Sequence, residues 1–397
     1  MLTIPSVHPV LLSLVREDRL DEEKLAPFLH HSWDTLVEDA IAQRVAAILF
    51  HRLSQSRHRS LIPSHSRDRL NRQIVQQTAW NLLLEKELQR ILLACQQRNI
   101  ACVPIRGPIL DAQLYGDSSI RQMDDLDILV HHEDLPAITH IFEQLGYTSH
   151  EQRPGFLEAY SYSLEFIHPR HGVVVEPHWT LVYPPFIGTT AMEPVWTRTV
   201  RQRWRGMDTE RLCQSDLLLH LCLHLLHKGT HAPLLWYYEL DRLIRGEDFP
   251  VSWNLLVDQA QAMDQTGFIS EVLMTVNHHF HSPVPDSVMN RLQIPAERAS
   301  SPSPRPTQGH LLAHTSLSGR EEFALLCSLQ GLRQKIHYAS ALLFPSPRYM
   351  AQRYGLSGPM GLIRAYISRA CHLFWEGGKW AMAWVADTRA PRQGIDR

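Results

Sequence analysis

The run Arg121-Gln122-Met123-Asp124-Asp125-Leu126-Asp127-Ile128-Leu129-Val130 decides how this chain is read. Its second half, Leu126 to Val130, is a short apolar strand entered through acids. On a strand, residues two apart share a face and stand about 6.5–7 Å apart, so Asp125 and Asp127 point together while Asp124 points away. Two carboxylates aimed at one spot repel each other. A hard divalent cation such as Mg²⁺ relieves that repulsion and keeps bound phosphates in reach.

The flanks supply the rest of a small domain. Upstream, Ile100 to Ile105 is a short apolar strand, Arg106-Gly107 a turn, and Pro108 to Tyr115 a helix opened by proline. Downstream, Glu133 to Leu145 has helical periodicity and stops at Gly146. Two β-rich runs follow, Tyr160 to Ile167 and Val173 to Trp179, joined by the turn-forming His168-Pro169-Arg170-His171-Gly172. The order strand, helix, strand, helix, strand, strand predicts one mixed sheet carrying helices. Glu176 on the last strand is the candidate third carboxylate of a two-metal clamp. Glu165 on the partner strand competes with it, because a one-residue slip of register exchanges the faces.

Outside this block the pattern is helical, from Pro9 to about Asn99 and again after about Ser215. The expected class is therefore α+β. A helical lobe occupies 1–99, the mixed-sheet domain 100–181 and a second helical lobe 182–397, with a Pro/Ser-rich loop near 300–309. Of 397 residues 44% are apolar, and 39 basic side chains nearly balance 41 acidic ones, which excludes a disordered chain and a strongly basic nucleic-acid coat. A long nucleic acid held by phosphate contacts alone is correspondingly disfavoured. The six cysteines form no CxxC pair, which argues against zinc ribbons and disulfide scaffolds and for a reducing cytoplasm. The apolar stretch Val10 to Val15 is too short for a signal peptide, and no run reaches the ~18 residues of a membrane span. Phosphate-loop, dinucleotide-binding and serine-hydrolase signatures are all missing.

The assembled motif resembles the nucleotidyltransferase fold of the DNA polymerase beta superfamily, and more closely an uncharacterised bacterial branch of it. That branch runs Lys-Gly, a helix ending in Tyr, then Arg and Asp-x-Asp-x-Leu-Val. The matching residues here are Arg106-Gly107, Leu114-Tyr115, Arg121 and Asp125-Leu126-Asp127-Ile128-Leu129-Val130. Glu176-Pro177-His178-Trp179 is similar to the family's acidic-His-Trp element, and Phe344-Pro345-Ser346-Pro347-Arg348-Tyr349 to its closing Pro-Ser-Pro, so the likeness spans about 33–354.

The resemblance implies Mg²⁺-dependent transfer of a nucleotidyl group from an NTP such as ATP to an acceptor: a small molecule, a peptide or a protein. Asp125, Asp127 and Glu176 would hold the metal, two ions by the family pattern, while Arg106 and Gly107 would hold phosphates. Three departures stand out: Gly107-Pro108 replaces Gly-Ser, Arg106 replaces Lys, and Asp124 replaces a small glycine. Arg121 reads either as a phosphate ligand or as a partner for Asp124 or Asp125, and Lys228 as a cation completing the nucleotide groove. His178 shares a strand face with Glu176, which suits contact with phosphate or acceptor. His220, His224 and His227 share a helical face, where core packing outweighs metal ligation. Two other classes remain in view: an inactive nucleotidyltransferase-fold regulatory or antitoxin-like module, kept alive by Gly107-Pro108, and a phosphohydrolase working from the histidine helix.

Overall fold

The computed structural model describes residues 9–16, 33–55, 62–149, 162–181, 192–228, 232–247, 250–263, 265–293, 332–345, 347, 350, 354 and 358–389. The Pro/Ser-rich 300–309 segment lies outside them. The chain forms two compact units, one of which contains 1–150 and 162–300.

This unit opens with α1 (Pro9–Arg16), α2 (Trp33–Ala42), α3 (Ala46–Gln55) and the 33-residue α4 (Ser64–Gln96). A five-stranded sheet follows, in the order β1-β2-β5-β4-β3. Its strands are β1 (Cys102–Pro104), β2 (Asp125–Val130), β3 (Thr148–Ser149), β4 (Phe166–Ile167) and β5 (Val174–His178). Between β1 and β2 lies α5 (Pro108–Leu114), and between β2 and β3 lies α6 (Leu135–Leu145), which ends on Gly146 in the left-handed region at φ 93°. The sheet is mixed as expected: β1 runs antiparallel to β2, β2 parallel to β5, and β5 antiparallel to β4. From Leu126 onward every residue of β2 is buried, as a strand flanked on both sides and covered by helices requires.

The segment after 181 is not helical throughout. It begins with α7 (Glu193–Thr197) and an antiparallel hairpin, β6 (Val200–Trp204) and β7 (Met207–Arg211). Arg205 and Gly206 both take positive φ at the bend, the conformation that matches the right-handed twist of a two-residue hairpin. Then come α8 (Gln214–Lys228), α9 (Leu234–Arg245), α10 (Trp253–Ala262), α11 (Thr266–Phe280) and α12 (Asp286–Gln293). One apolar cluster joins Leu11 and Leu14 of α1, Leu49 of α3, Leu218 and Cys222 of α8, Leu235 and Leu240 of α9 and Val272 of α11 to Val103 and Leu129 of the sheet. The first and last helices of the unit therefore share a core that no local pattern announces. In the second unit α13 (Leu332–Leu343) packs against α14 (Pro359–Arg389), Tyr338 is buried, and Tyr366 donates from its hydroxyl to the Pro345 carbonyl at 2.5 Å. Among the described residues no helix is long and apolar enough to cross a membrane.

The loop that delivers β2 is clamped by polar groups. Asn81 of α4 donates to the carbonyls of Ser118 and Arg121, each at 2.6 Å, and Gln77 donates to that of Ser119. Arg121, 6% exposed, donates through Nε to Glu239 Oε1 of α9 at 2.7 Å. Removing one member leaves a buried unpaired charge, so Glu239→Ala is expected to cost about 3–5 kcal/mol in urea denaturation, with much of the loss recovered in the Arg121→Met/Glu239→Leu pair. Buried Asp111 on α5 is a different case. Burial pushes its carboxyl up to about 7, with Arg121 opposing and Glu85, Asp117 and Glu239 adding. Its folded affinity for a proton exceeds the unfolded one, so its contribution is full below about pH 4 and is lost as pH rises through about 7. Asp111→Asn should therefore melt higher than the parent at pH 8, by up to about 4 kcal/mol, and the gain should vanish near pH 4.

Candidate active site

Strand pairing decides which acids meet. In the parallel β2–β5 ladder Asp127 lies opposite Glu176, and Asp125 opposite Val174. Side chains alternate along both strands, so Asp125, Asp127, Glu176 and His178 share one sheet face. Glu165 precedes β4, the strand on the far side of β5, which puts Glu176 beside Asp127 and Glu165 one strand further away. An isolated bridge pairs Ser163 with His178, and the Ser163 hydroxyl donates to Glu176 Oε2 at 3.3 Å.

Asp127 is the centre of this face. It is 3% exposed, with Arg106 Nη2 2.7 Å from its Oδ2 and His178 Nε2 3.0 Å from its Oδ1. His178 Nε2 is also 3.7 Å from Glu176 Oε2. Arg106 Nη1 donates in turn to His224 Nε2 of α8 at 2.6 Å, and the His224 ring packs on Trp236 of α9 with centroids 4.4 Å apart. His220, one turn earlier on α8, turns its Nδ1 to the Leu181 carbonyl at 3.3 Å.

The protonation pattern follows from crowding. Burial disfavours ionisation of Asp127, yet Arg106 and His178 outweigh it and hold the carboxyl well below the usual range. Asp125 has no such pair of donors: burial first and the Asp127 charge second push it up to about 6. Glu176 is raised further, to about 8, by burial and then by Asp127 and Asp125. Burial works against the Arg106 guanidinium, but Asp127 and Asp125 more than compensate and hold its proton more tightly than usual. His220 is driven down to about 3 by burial and then by Arg106, so it is a neutral imidazole. A face with more acid than cation is one that a divalent ion fits. Ligand atoms of Asp127, Glu176 and His178 lie within 4.8 Å of one another, and Asp125 shares the face without joining that set.

Gly107 forms the turn between β1 and α5 at φ 61° and ψ −134°, a conformation open essentially to glycine. A Cβ there would lie 3.5 Å from the Asp125 carbonyl, so the turn runs close behind the acid-bearing strand. Pro108 supplies the first helical residue, where a missing N–H costs no helix bond.

The structure brings together Arg106, Gly107, Asp125, Asp127, Glu176 and His178 of the residues singled out in the sequence. Arg121 is nearby, but its observed partner is Glu239, and Asp124 pairs with Arg44 instead. Lys228 ends α8, and its side chain, like that of His227, lies outside the described ones. Sequence reasoning missed Ser163, Glu239 and the link from His224 to Arg106. The i, i+4 histidines were visible on their helix, whereas their partners lie 118 residues away at Arg106 and 39 away at Leu181.

A glycine turn leading into a helix, followed by an Asp-x-Asp strand laid parallel to a glutamate strand, defines a nucleotidyltransferase. The chain belongs to the family described as uncharacterised nucleotidyltransferase, whose model matches residues 30–281. Among solved structures, the antibiotic-resistance factor ANT(2'')-Ia is 15% identical, aligning over 52% of this chain and 99% of its own, with a TM-score of 0.29. An antigenic nucleotidyltransferase-like protein from Paracoccidioides brasiliensis is 14% identical over 50% of this chain and 93% of its own, with a TM-score of 0.32. No curated protein matches the chain.

Because Gly107 is held by conformation, with room for a methyl group in ordinary contact, Gly107→Ala should destabilise by about 1–3 kcal/mol through backbone strain. Chemical denaturation measures this directly.

Proposed function

We propose that this face transfers a nucleotidyl group from an NTP, ATP being the first candidate, to a hydroxyl or other nucleophile of an acceptor, with Mg²⁺ held by Asp125, Asp127 and Glu176. The observation that carries the reading is the convergence of three carboxylates on one face of β2 and β5, two of them raised to about 6 and about 8 by burial and by the Asp127 charge. When bound, one or two Mg²⁺ ions would supply the positive charge that the acids and a triphosphate both need. The bond formed joins the acceptor atom to the α-phosphorus, the bond broken is that from the α-phosphorus to the bridging oxygen, and pyrophosphate leaves.

The chain's own groups divide the work. Arg106 offers a planar fork to the β- and γ-phosphates, and in doing so exchanges Asp127 for a phosphate partner. His224 and Trp236 back that guanidinium from the helical side. Glu176 serves as a ligand or as the base for the acceptor's hydroxyl. His178 fixes the orientation of Asp127 through Oδ1. The acceptor is a small molecule, peptide or protein, since the near-neutral charge offers no extended basic track for a long nucleic acid. The NTP pool is intracellular, and the cytoplasm is where we place the protein.

A second reading, a binding or regulatory module without turnover, draws on the Arg106–Asp127 ion pair and on Pro108, which removes one backbone N–H from the phosphate turn. Calorimetric titration of the full chain with each of the four NTPs, with and without Mg²⁺, separates the two. Mg²⁺-dependent binding, lost in Asp125→Asn, is expected, together with a drop of at least about 100-fold in label transfer from an α-labelled NTP. Asp125→Asn should melt no lower than the parent, because it relieves repulsion. Binding without product across an acceptor screen would favour the module, and no binding to any NTP would overturn transfer and leave the module.

A further inference from the structure

The hydrogen-bond accounting of the acidic face leaves donors and acceptors unused. His178 is 2% exposed and His220 5% exposed, and among the described residues His178 Nδ1, His220 Nε2 and Arg106 Nε have no partner. Buried polar atoms are nearly always satisfied, so these orphans, two of them on the side chains that bond Asp127, single out this face. Their neighbours indicate what. His178 Nε2 stands 3.0 Å from Asp127 Oδ1 and 3.7 Å from Glu176 Oε2. Ligands bound at about 2.0–2.2 Å lie about 2.8–3.6 Å apart at the corners of an octahedron or tetrahedron, so the two His178 distances fall on or just beyond the edge of a coordination polyhedron.

We propose that Asp127, Glu176 and His178 form a mixed carboxylate–imidazole site that binds a divalent first-row transition ion in preference to Mg²⁺. The proposal deepens the nucleotidyl-transfer reading and rests on it for the ion's role. Its basis is the imidazole. Mg²⁺ takes oxygen ligands and gives up water reluctantly, whereas imidazole suits the borderline transition ions. An all-oxygen set drawn from Asp125, Asp127 and Glu176 would show a weaker preference; the preference is strengthened because β5 puts a histidine two residues after the glutamate, on the same face. On binding, Nε2 gives its lone pair to the ion and its proton moves to Nδ1, the nitrogen that carries no bond in the metal-free site. Among the described residues no carboxylate or carbonyl backs Nδ1, so the ligand is less basic than one in a histidine–carboxylate couple and the ion is held exchangeably. Arg106 on Asp127 Oδ2 leaves Oδ1 facing the histidine, so the ion and the guanidinium address different oxygens.

The test uses the full-length chain with Mn²⁺ or Mg²⁺ alone and no nucleotide. Calorimetry should show Mn²⁺ bound at least ~10-fold more tightly than Mg²⁺, and pulsed electron paramagnetic resonance of the Mn²⁺ form should show coupling to a directly bound nitrogen. His178→Gln should abolish that coupling and cut Mn²⁺ affinity by ~10–100-fold while changing Mg²⁺ affinity less than ~3-fold. Glu176→Gln keeps the imidazole and should also weaken the nitrogen-coupled Mn²⁺, which ties the signal to this site should His178→Gln fail to fold. Mn²⁺ without nitrogen coupling, coupling that survives in both variants, or equal affinity for the two ions would overturn the proposal and leave Mg²⁺-dependent transfer standing. Nitrogen-coupled Mn²⁺ in a protein that binds no NTP would support the site and overturn the functional reading.

Discussion

Asp127 beside Glu176 across a parallel strand pair is the contact on which the rest of the site turns. Two acids brought together on a largely buried sheet face are costly, and the surrounding structure answers that cost locally. Arg106 comes from the turn after β1 to neutralise one oxygen of Asp127, and His178 comes from β5 to bond the other. Asp125 and Glu176 are left without equivalent partners, and their affinities for a proton rise to about 6 and about 8. The resulting face is neutral enough to fold, yet responsive to any cation that arrives.

The helical elements of the first unit are organised around the delivery of that strand pair. The long α4 grips the loop ahead of β2 through Asn81 and Gln77, and α9 grips it from elsewhere through the buried Arg121–Glu239 pair. Arginine suits that position because its fork satisfies a carboxylate while remaining charged in an apolar setting. On α8, His224 meets Arg106 and His220 stays neutral against the Leu181 carbonyl. The binding-module alternative keeps a physical basis in the Arg106–Asp127 pair.

Much of this was legible in the chain itself. Period-two alternation, proline at the start of α5 and Gly146 at the end of α6 are local signals, and they specify the strand–helix–strand order with boundaries close to those observed. The Asp-x-Asp pair was legible for the same reason, since a strand of either direction puts alternate residues on one face. The β6–β7 hairpin was not, because its strands, Val-Arg-Gln-Arg-Trp and Met-Asp-Thr-Glu-Arg, carry too little apolar alternation to stand out.

Sequence by itself thus determined most elements of the mixed sheet, the shared face of Asp125 and Asp127, and the family to which that arrangement belongs. Tertiary structure decided what a one-dimensional pattern has no means to encode: which strand lies next to which. The order β2-β5-β4 makes Glu176 the neighbour of Asp127 and leaves Glu165 a strand away, and it brings His178 within hydrogen-bond reach of Asp127, with Glu176 3.7 Å off. It took the same folding to give Arg121 to Glu239, Asp124 to Arg44 and Arg106 to His224. Those pairings join residues 118, 80 and 118 positions apart, and only the packing of distant helices against the sheet sets the distances on which charge interactions depend.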